Sequence, residues 1–106
     1  MIRIKIQTKN KQFQKITFRG HAFYDDYGKD IVCAGVSSIM TTTINGIIRL
    51  NQSAITYHQK EDGIELIVEK EDNTTQILLE NMISLLKELE NTYPKNIKIE
   101  SEEKTC

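Results

Sequence analysis

The chain has 106 residues, of which 39% are hydrophobic and 27% are charged, and its formal net charge is -1. This balance predicts a single folded domain with its own hydrophobic core and excludes the composition of a disordered chain. The nearly neutral charge argues against a basic phosphate-binding surface, so we expect no direct contact with nucleic acid.

Cysteine use and apolar runs indicate the compartment. The chain has two cysteines, Cys33 and Cys106, which do not make a disulfide framework. Its first residues alternate apolar with polar side chains and lack the continuous apolar run of a signal peptide. No apolar stretch approaches the roughly 20 residues that a membrane span needs. We therefore expect a cytoplasmic protein with reduced thiols and no membrane partner.

The first predicted elements are two strands. Isoleucines alternate with polar residues over residues 1–9 and predict a half-buried strand. A polar turn at residues 10–11 leads to a second strand from Phe13 to Arg19, and the two should form a hairpin. Residues 21–30 have no clean period and predict a loop longer than the usual connection of about 4–6 residues. Loops of this length often carry function.

A helix is predicted from Ile31 to about Leu50, where the apolar period becomes helical. Its glycines, serines and threonines are poor helix formers, so packing against neighbours must hold it. The face expected to be buried comprises Val32, Val36, Ile39, Met40, Thr43, Ile47 and Leu50.

The second half of the chain predicts a hairpin, a helix and a short strand. Asp62-Gly63 is the turn signal of the hairpin. Asn73 with Gln76 resembles a capping box and predicts a helix that runs to Tyr93, before Pro94. The side chains expected inside are Leu78, Met82, Leu85, Leu86 and Leu89, and Ile97 and Ile99 mark the last strand.

The predicted order is therefore ββαββαβ. Strands outnumber helices and hairpins make most connections antiparallel, which predicts an α+β fold with a mainly antiparallel sheet and two helices packed on sheet faces. We expect one domain over residues 1–100 and a charged, flexible tail over residues 101–106.

The stretch from Gly20 to Ser37 holds one of the two histidines and one of the two cysteines. Asp30 is a good N-cap residue, which would place Cys33 in the first helical turn, where free amides and the helix dipole favour a thiolate. If the loop folds back, His21 could take the thiol proton, and nearby backbone N–H groups could hold an oxyanion. Ser37, one turn after Cys33, could donate a hydrogen bond to the thiolate or the substrate.

Structural roles stand beside these catalytic ones. Cys33 could be a small buried hydrophobic residue, and His21 a structural or surface residue. Asp30 could only cap the helix, Ser37 could only pack it, and Gly20 and Gly28 could only serve turns. A metal site is disfavoured because no two ligand-type residues show a standard short metal-binding spacing, and we expect no metal and no cofactor.

Gly20-His21-Ala22, a short loop and then the ten residues from Gly28 to Ser37 resemble the signature of the ribosomal-processing cysteine protease family Prp. The resemblance implies that Cys33 is the nucleophile and His21 the general base, with Asp30 and Ser37 as supporting polar residues and Gly20 and Gly28 as hinges of the loop. It also implies a homodimer that removes the short N-terminal extension of a large-subunit ribosomal protein, cutting after a hydrophobic, aromatic-containing segment. The alternative is a non-catalytic, ribosome-associated binding protein with the same fold.

Overall fold

The structure, a computed structural model, describes residues 1–20 and 31–104. Its elements follow the predicted order ββαββαβ. They are β1 (Ile2–Lys9), β2 (Gln12–Arg19), α1 (Ile31–Leu50), β3 (Ile55–Lys60), β4 (Gly63–Val68), α2 (Asn73–Thr92) and β5 (Ile97–Lys104).

The strands form one five-stranded sheet in the order β3-β4-β2-β1-β5. The pairs β1–β2, β2–β4 and β3–β4 are antiparallel, and β5 joins β1 as a parallel edge strand. A parallel pair cannot be closed by a tight turn and needs a long connection, and the connection from β1 to β5 runs through all the intervening elements. The prediction of an α+β fold with a mainly antiparallel sheet is confirmed.

Both helices lie on the same face of the sheet. The alternating isoleucines of β1 point to this face and share one core with the apolar sides of α1 and α2. Gly35 brings the helices together, since a Cβ on it would lie 3.2 Å from Leu89 Cδ2. The other face of the sheet carries polar and charged side chains, so the structure has two layers.

The buried helix faces differ in part from those predicted. In α1, Ile44 is buried, whereas Leu50, the last residue of the helix, is 67% exposed. In α2 the buried stripe lies about one residue from the predicted one, so Leu85 is exposed. The stripe comprises Thr75, Leu79, Met82, Ile83 and Leu86.

Two predicted turn signals are off by one residue. The hairpin turn is Glu61-Asp62, since Gly63 already pairs with Lys60 in the ladder. The N-cap of α2 is Asp72 rather than Asn73, and its carboxylate accepts a hydrogen bond from Thr74 N at 3.0 Å. Asx residues stand side by side at positions 72 and 73, and the sequence alone does not distinguish which of them caps.

Gln76 does not complete a capping box. Its side-chain amide reaches β2 instead, where Oε1 accepts from Phe13 N at 2.7 Å and Nε2 donates to Phe13 O at 3.1 Å. Phe13 lies beyond the part of β2 that pairs with β4, and the ladder with β1 shifts register beside it. The glutamine therefore supplies the hydrogen bonds that a neighbouring strand would otherwise provide.

The flexible tail predicted from residue 101 is wrong for Ser101–Lys104, which continue β5 beside β1. Glu103 accepts a hydrogen bond from Thr8 Oγ1 at 2.7 Å and another from Lys11 N at 3.3 Å. Lys11 belongs to the β1–β2 turn, so the charged end of the chain is tied to that hairpin. Residues 105–106 lie outside the described residues.

Helix α1 is long and apolar enough, by those two properties alone, to cross a membrane, contrary to the expectation that no stretch approaches this length. One side of the helix, from Val32 to Ile47, is buried in the core that it shares with the sheet and α2. A single helix of this kind is weak evidence for a membrane span, because the core helix of a folded domain passes the same test of length and composition.

Candidate active site

Cys33 lies in the first turn of α1, two residues after the helix begins at Ile31. The residue is half-buried and packs against the hydrophobic core. The first four N–H groups of a helix have no partner within the helix, and their dipoles make this end favourable for a negative charge. The position suits a thiolate or the oxyanion of an acyl-transfer reaction.

A cleft of about 80 Å³ opens beside Cys33. Its walls come from the start of β1, the end of β2, the start of β4 and one side of α1. Most of its lining is apolar, and Ser37 supplies a hydroxyl. The lining residues are Ile2, Phe18, Gly20, Cys33, Val36, Ser37, Met40, Gly63 and Ile64.

Gly20 holds the end of β2 at this cleft. Its φ is +77°, a left-handed conformation that favours glycine, and a Cβ there would overlap the carbonyl oxygen of Met1. Gly20 N donates a hydrogen bond to Asp62 O at 3.1 Å. The glycine therefore fixes where the chain leaves the sheet, immediately before His21 in the sequence.

Ser37 is exposed and lines the cleft one helical turn after Cys33, as its spacing predicts. Of the six residues predicted for the site, the structure thus brings together Cys33, Ser37 and Gly20. The other three, His21, Gly28 and Asp30, lie outside the described residues.

The apolar wall of the cleft is not predicted by any pattern in the sequence. Ile2, Phe18 and Ile64 come from three different strands and meet only through the sheet order, so their spacing carries no signal. Ile31, two residues before Cys33 in the sequence, is also apolar, and it is 58% exposed. Large apolar side chains exposed near a cleft are typical of surfaces that bind an apolar partner.

Within residues 1–20 and 31–104, no three histidine, cysteine or carboxylate side chains lie close enough together to hold a metal ion. The chemistry of the described cleft is that of one thiol, one hydroxyl and helix-end amides.

Comparison with known proteins shows the family to which the chain belongs. The family model described as Cysteine protease Prp matches residues 1–98. A Staphylococcus aureus relative named ribosomal processing cysteine protease Prp is 31% identical over 83 residues, covering 76% of this chain and 78% of its own.

Two crystal structures of the Prp protease from S. aureus superpose closely on this chain. One holds a covalently linked product peptide and has a TM-score of 0.87, and the other holds a substrate peptide and has a TM-score of 0.83. Each is 26% identical, and the match covers 96% of this chain and 100% of the other.

The domain has two layers and carries a cysteine in the first turn of its first helix, and it matches cysteine proteases over residues 1–98. It is therefore a cysteine peptidase. The chain belongs to the ribosomal processing cysteine protease family Prp. Because the family consists of cysteine peptidases, the alternative of a non-catalytic, ribosome-associated binding protein is left without support.

Proposed function

We propose that this chain removes the short N-terminal extension of a large-subunit ribosomal protein by cutting after a hydrophobic, aromatic-containing segment. The observation that carries the proposal is the half-buried Cys33 in the first turn of α1, beside an apolar cleft. The printed name of the S. aureus relative supports ribosomal processing, and the peptides bound to the S. aureus structures support a peptide substrate.

The apolar cleft agrees with the proposed cut site. Phe18, Met40 and Ile64 offer a water-poor wall against which an apolar side chain next to the scissile bond gains by burial. A polar or charged side chain at the same place would lose hydration without a hydrogen-bond partner on that wall.

In the proposed reaction His21 takes the proton of Cys33, and the thiolate Sγ attacks the scissile carbonyl carbon. The carbonyl oxygen becomes an oxyanion that N–H groups of the first turn of α1 stabilise. His21 then gives its proton to the departing amine, and a thioester on Cys33 is left. Water, deprotonated by His21, hydrolyses the thioester and restores the thiol.

Ser37 has a supporting part in this proposal, because its hydroxyl lines the cleft one turn from the thiol. Asp30 would hold the start of α1 as its N-cap, and Gly20 and Gly28 would bound the loop that carries His21. A homodimer in the cytoplasm is part of the same proposal.

The test of the substrate and cut site is a cleavage assay followed by mass spectrometry. The purified chain is mixed with a large-subunit ribosomal protein that carries its N-terminal extension. We expect the extension to be lost by one cut directly after the aromatic-containing segment. A matched precursor, in which alanine replaces the aromatic residues of that segment, should be cut at least tenfold more slowly. An intact precursor, or equal cutting of both precursors, would overturn the proposal.

A further inference from the structure

The face of the sheet that is turned away from both helices is exposed to solvent in this chain. On each strand its residues alternate with those that pack in the core. The side chains of Arg3, Lys5 and Glu100 on it are 63%, 58% and 54% exposed. We call this surface the open face, and its charged residues are named in the next paragraph.

The open face is strongly cationic. The central strands β1 and β2 contribute Arg3, Lys5, Lys9, Lys15 and Arg19, and the outer strands contribute Lys60, Lys98 and Lys104. Its acidic residues are Glu65, Glu100 and Glu102 on the strands and Glu69 just after β4, which accepts a hydrogen bond from Thr56 on the same face. Eight cationic side chains against four anionic ones leave a net of four positive charges on a chain whose total is -1. The open face is therefore positively charged, whereas the rest of the chain is negatively charged.

Three of these four carboxylates are engaged by neighbouring cations. Arg3 lies 3.5 Å from Glu100, and Lys5 lies 3.7 Å from Glu102. Lys15 lies 2.9 Å from Glu65, and the hydrogen bond that it donates lowers the pKa of that carboxyl. Within the described part of the chain, no ion pair forms at Lys9, Arg19, Lys98 or Lys104. These four cations are available to an anionic partner.

A shallow depression of about 340 Å³ lies at the centre of the open face. Arg3, Lys5, Lys15 and Arg19 line it together with Glu65 and Glu100. The depression is larger than the cleft beside Cys33 and lies on the opposite side of the sheet from α1. It shares no lining residue with that cleft.

We propose that the open face binds the phosphate backbone of a nucleic acid. Charge complementarity selects this partner, because a regular row of phosphates is the polyanion that dispersed lysines and arginines neutralise. Among its described residues the face has no tyrosine, phenylalanine or tryptophan on which a base could stack, so the contacts would not read sequence. It also lacks the apolar anchors of a membrane-binding surface, since Ile67 is its only large apolar residue among those described.

This inference differs from the expectation drawn from the total charge. The net charge of -1 is the sum of the cationic open face and the acidic rest of the chain. A partner contacts one face at a time, so the charge of that face decides whether it attracts a polyanion. The proposal does not depend on the peptidase chemistry, because the depression on the open face and the cleft beside Cys33 share no lining residue.

The test is the binding of a fluorescent single-stranded 20-nucleotide RNA, followed by anisotropy from 20 to 200 mM salt. Each neutralised phosphate contributes about -0.7 to the slope of log Kobs against log salt, so four cations predict a slope near -3. The variant Arg19→Gln/Lys98→Gln should bind at least tenfold more weakly at low salt, with a slope near -1.5.

The matched control is Lys87→Gln/Lys95→Gln, which removes the same charge from the helix side of the molecule. It should bind RNA like the parent. The variant Arg19→Lys/Lys98→Arg, which keeps both charges, should also bind like the parent even if its stability differs.

Several results would overturn the proposal. One is the absence of salt-dependent RNA binding, and another is an equal loss in the control variant. Binding to vesicles of anionic phosphatidylglycerol but not to RNA would assign the face to a lipid surface. A dimer that Arg19→Gln/Lys98→Gln dissociates would assign it to a second copy of the chain.

Discussion

The proton that leaves Cys33 must reach the departing amine of the substrate, and in our proposal His21 carries it. We expect His21→Ala to lower kcat/KM about 10²- to 10⁴-fold, the usual contribution of a general acid and base. His58→Ala changes the chain's other histidine, which is exposed on β3, and should leave kcat/KM unchanged. The measurement is the pH profile of precursor cleavage, and His21→Ala should lose the acidic limb seen in the parent. Equal losses in the two variants would contradict the role of His21.

Gly20 follows β2 and directly precedes His21 in the sequence, and its backbone requires glycine. Gly20→Ala should lower the free energy of unfolding by at least about 1–2 kcal/mol, because a Cβ is disfavoured at positive φ and would overlap Met1 O. Gly46→Ala is the control within α1, where an added Cβ meets nothing within 4 Å. That change should stabilise the protein by about 0.5–1 kcal/mol. Urea unfolding measures both, and a neutral Gly20→Ala would contradict the described turn.

At the scale of elements, the start of α2 depends on the ionised Asp72. Partial burial alone would raise the pKa of Asp72, but hydrogen bonds donated by Asn51, Thr74 and Thr75 outweigh burial and lower it. The folded-state pKa therefore lies below the unfolded one. The resulting stabilisation is complete above about pH 4, the ordinary aspartate range, and is lost as the pH falls through the folded-state pKa.

We accordingly expect Asp72→Ala to lower the melting temperature most at pH 6–7, with the difference from the parent narrowing below about pH 4. Glu71→Ala removes a neighbouring charge that makes none of these capping contacts and serves as the control. Thermal unfolding followed by circular dichroism from pH 2 to pH 7 measures both. A difference that widens in acid, or the same pH dependence in Glu71→Ala, would contradict this account of the cap.

Helix α2 also supports the end of β2 through Gln76. Gln76→Met keeps the length of the side chain but leaves Phe13 N and O without these partners, so we expect a loss of about 1–3 kcal/mol. Asn81→Met changes an exposed amide on the same helix and should alter stability by less than about 0.5 kcal/mol. Urea unfolding compares the two variants. An equal effect of both would show that the bonds to Phe13 contribute little.

At the scale of the whole molecule, local patterns predict the elements well. The alternation in β1 and the helical period from Ile31 to Leu50 predict those elements because burial on one side imposes the period. The length of β5 could not be predicted, because its charged residues look solvated until β1 lies beside them. The cleft wall and the cationic open face are also long-range features, since each joins residues from several strands.

The candidate site likewise combines features that local sequence spacing predicts with features that depend on the fold. Cys33 and Ser37 share one helix, so their spacing alone predicts that both face the same side. Gly20 reaches them only because β2 lies at the centre of the sheet, and the apolar residues beside the thiol come from other strands. Sequence spacing therefore predicts the chemistry of the nucleophile, while the substrate-binding wall needs the fold.

The most direct test of the account is the kcat/KM of Cys33→Ala for cleavage of the extended ribosomal protein, compared with Cys106→Ala. The nucleophile forms the covalent intermediate, so we predict a loss of at least about 10³-fold in Cys33→Ala and parent-like cleavage by Cys106→Ala. Both variants should keep the parent's melting temperature within about 5 °C, since each removes only one sulfur atom. Cleavage by folded Cys33→Ala at the parent's rate would contradict the central claim.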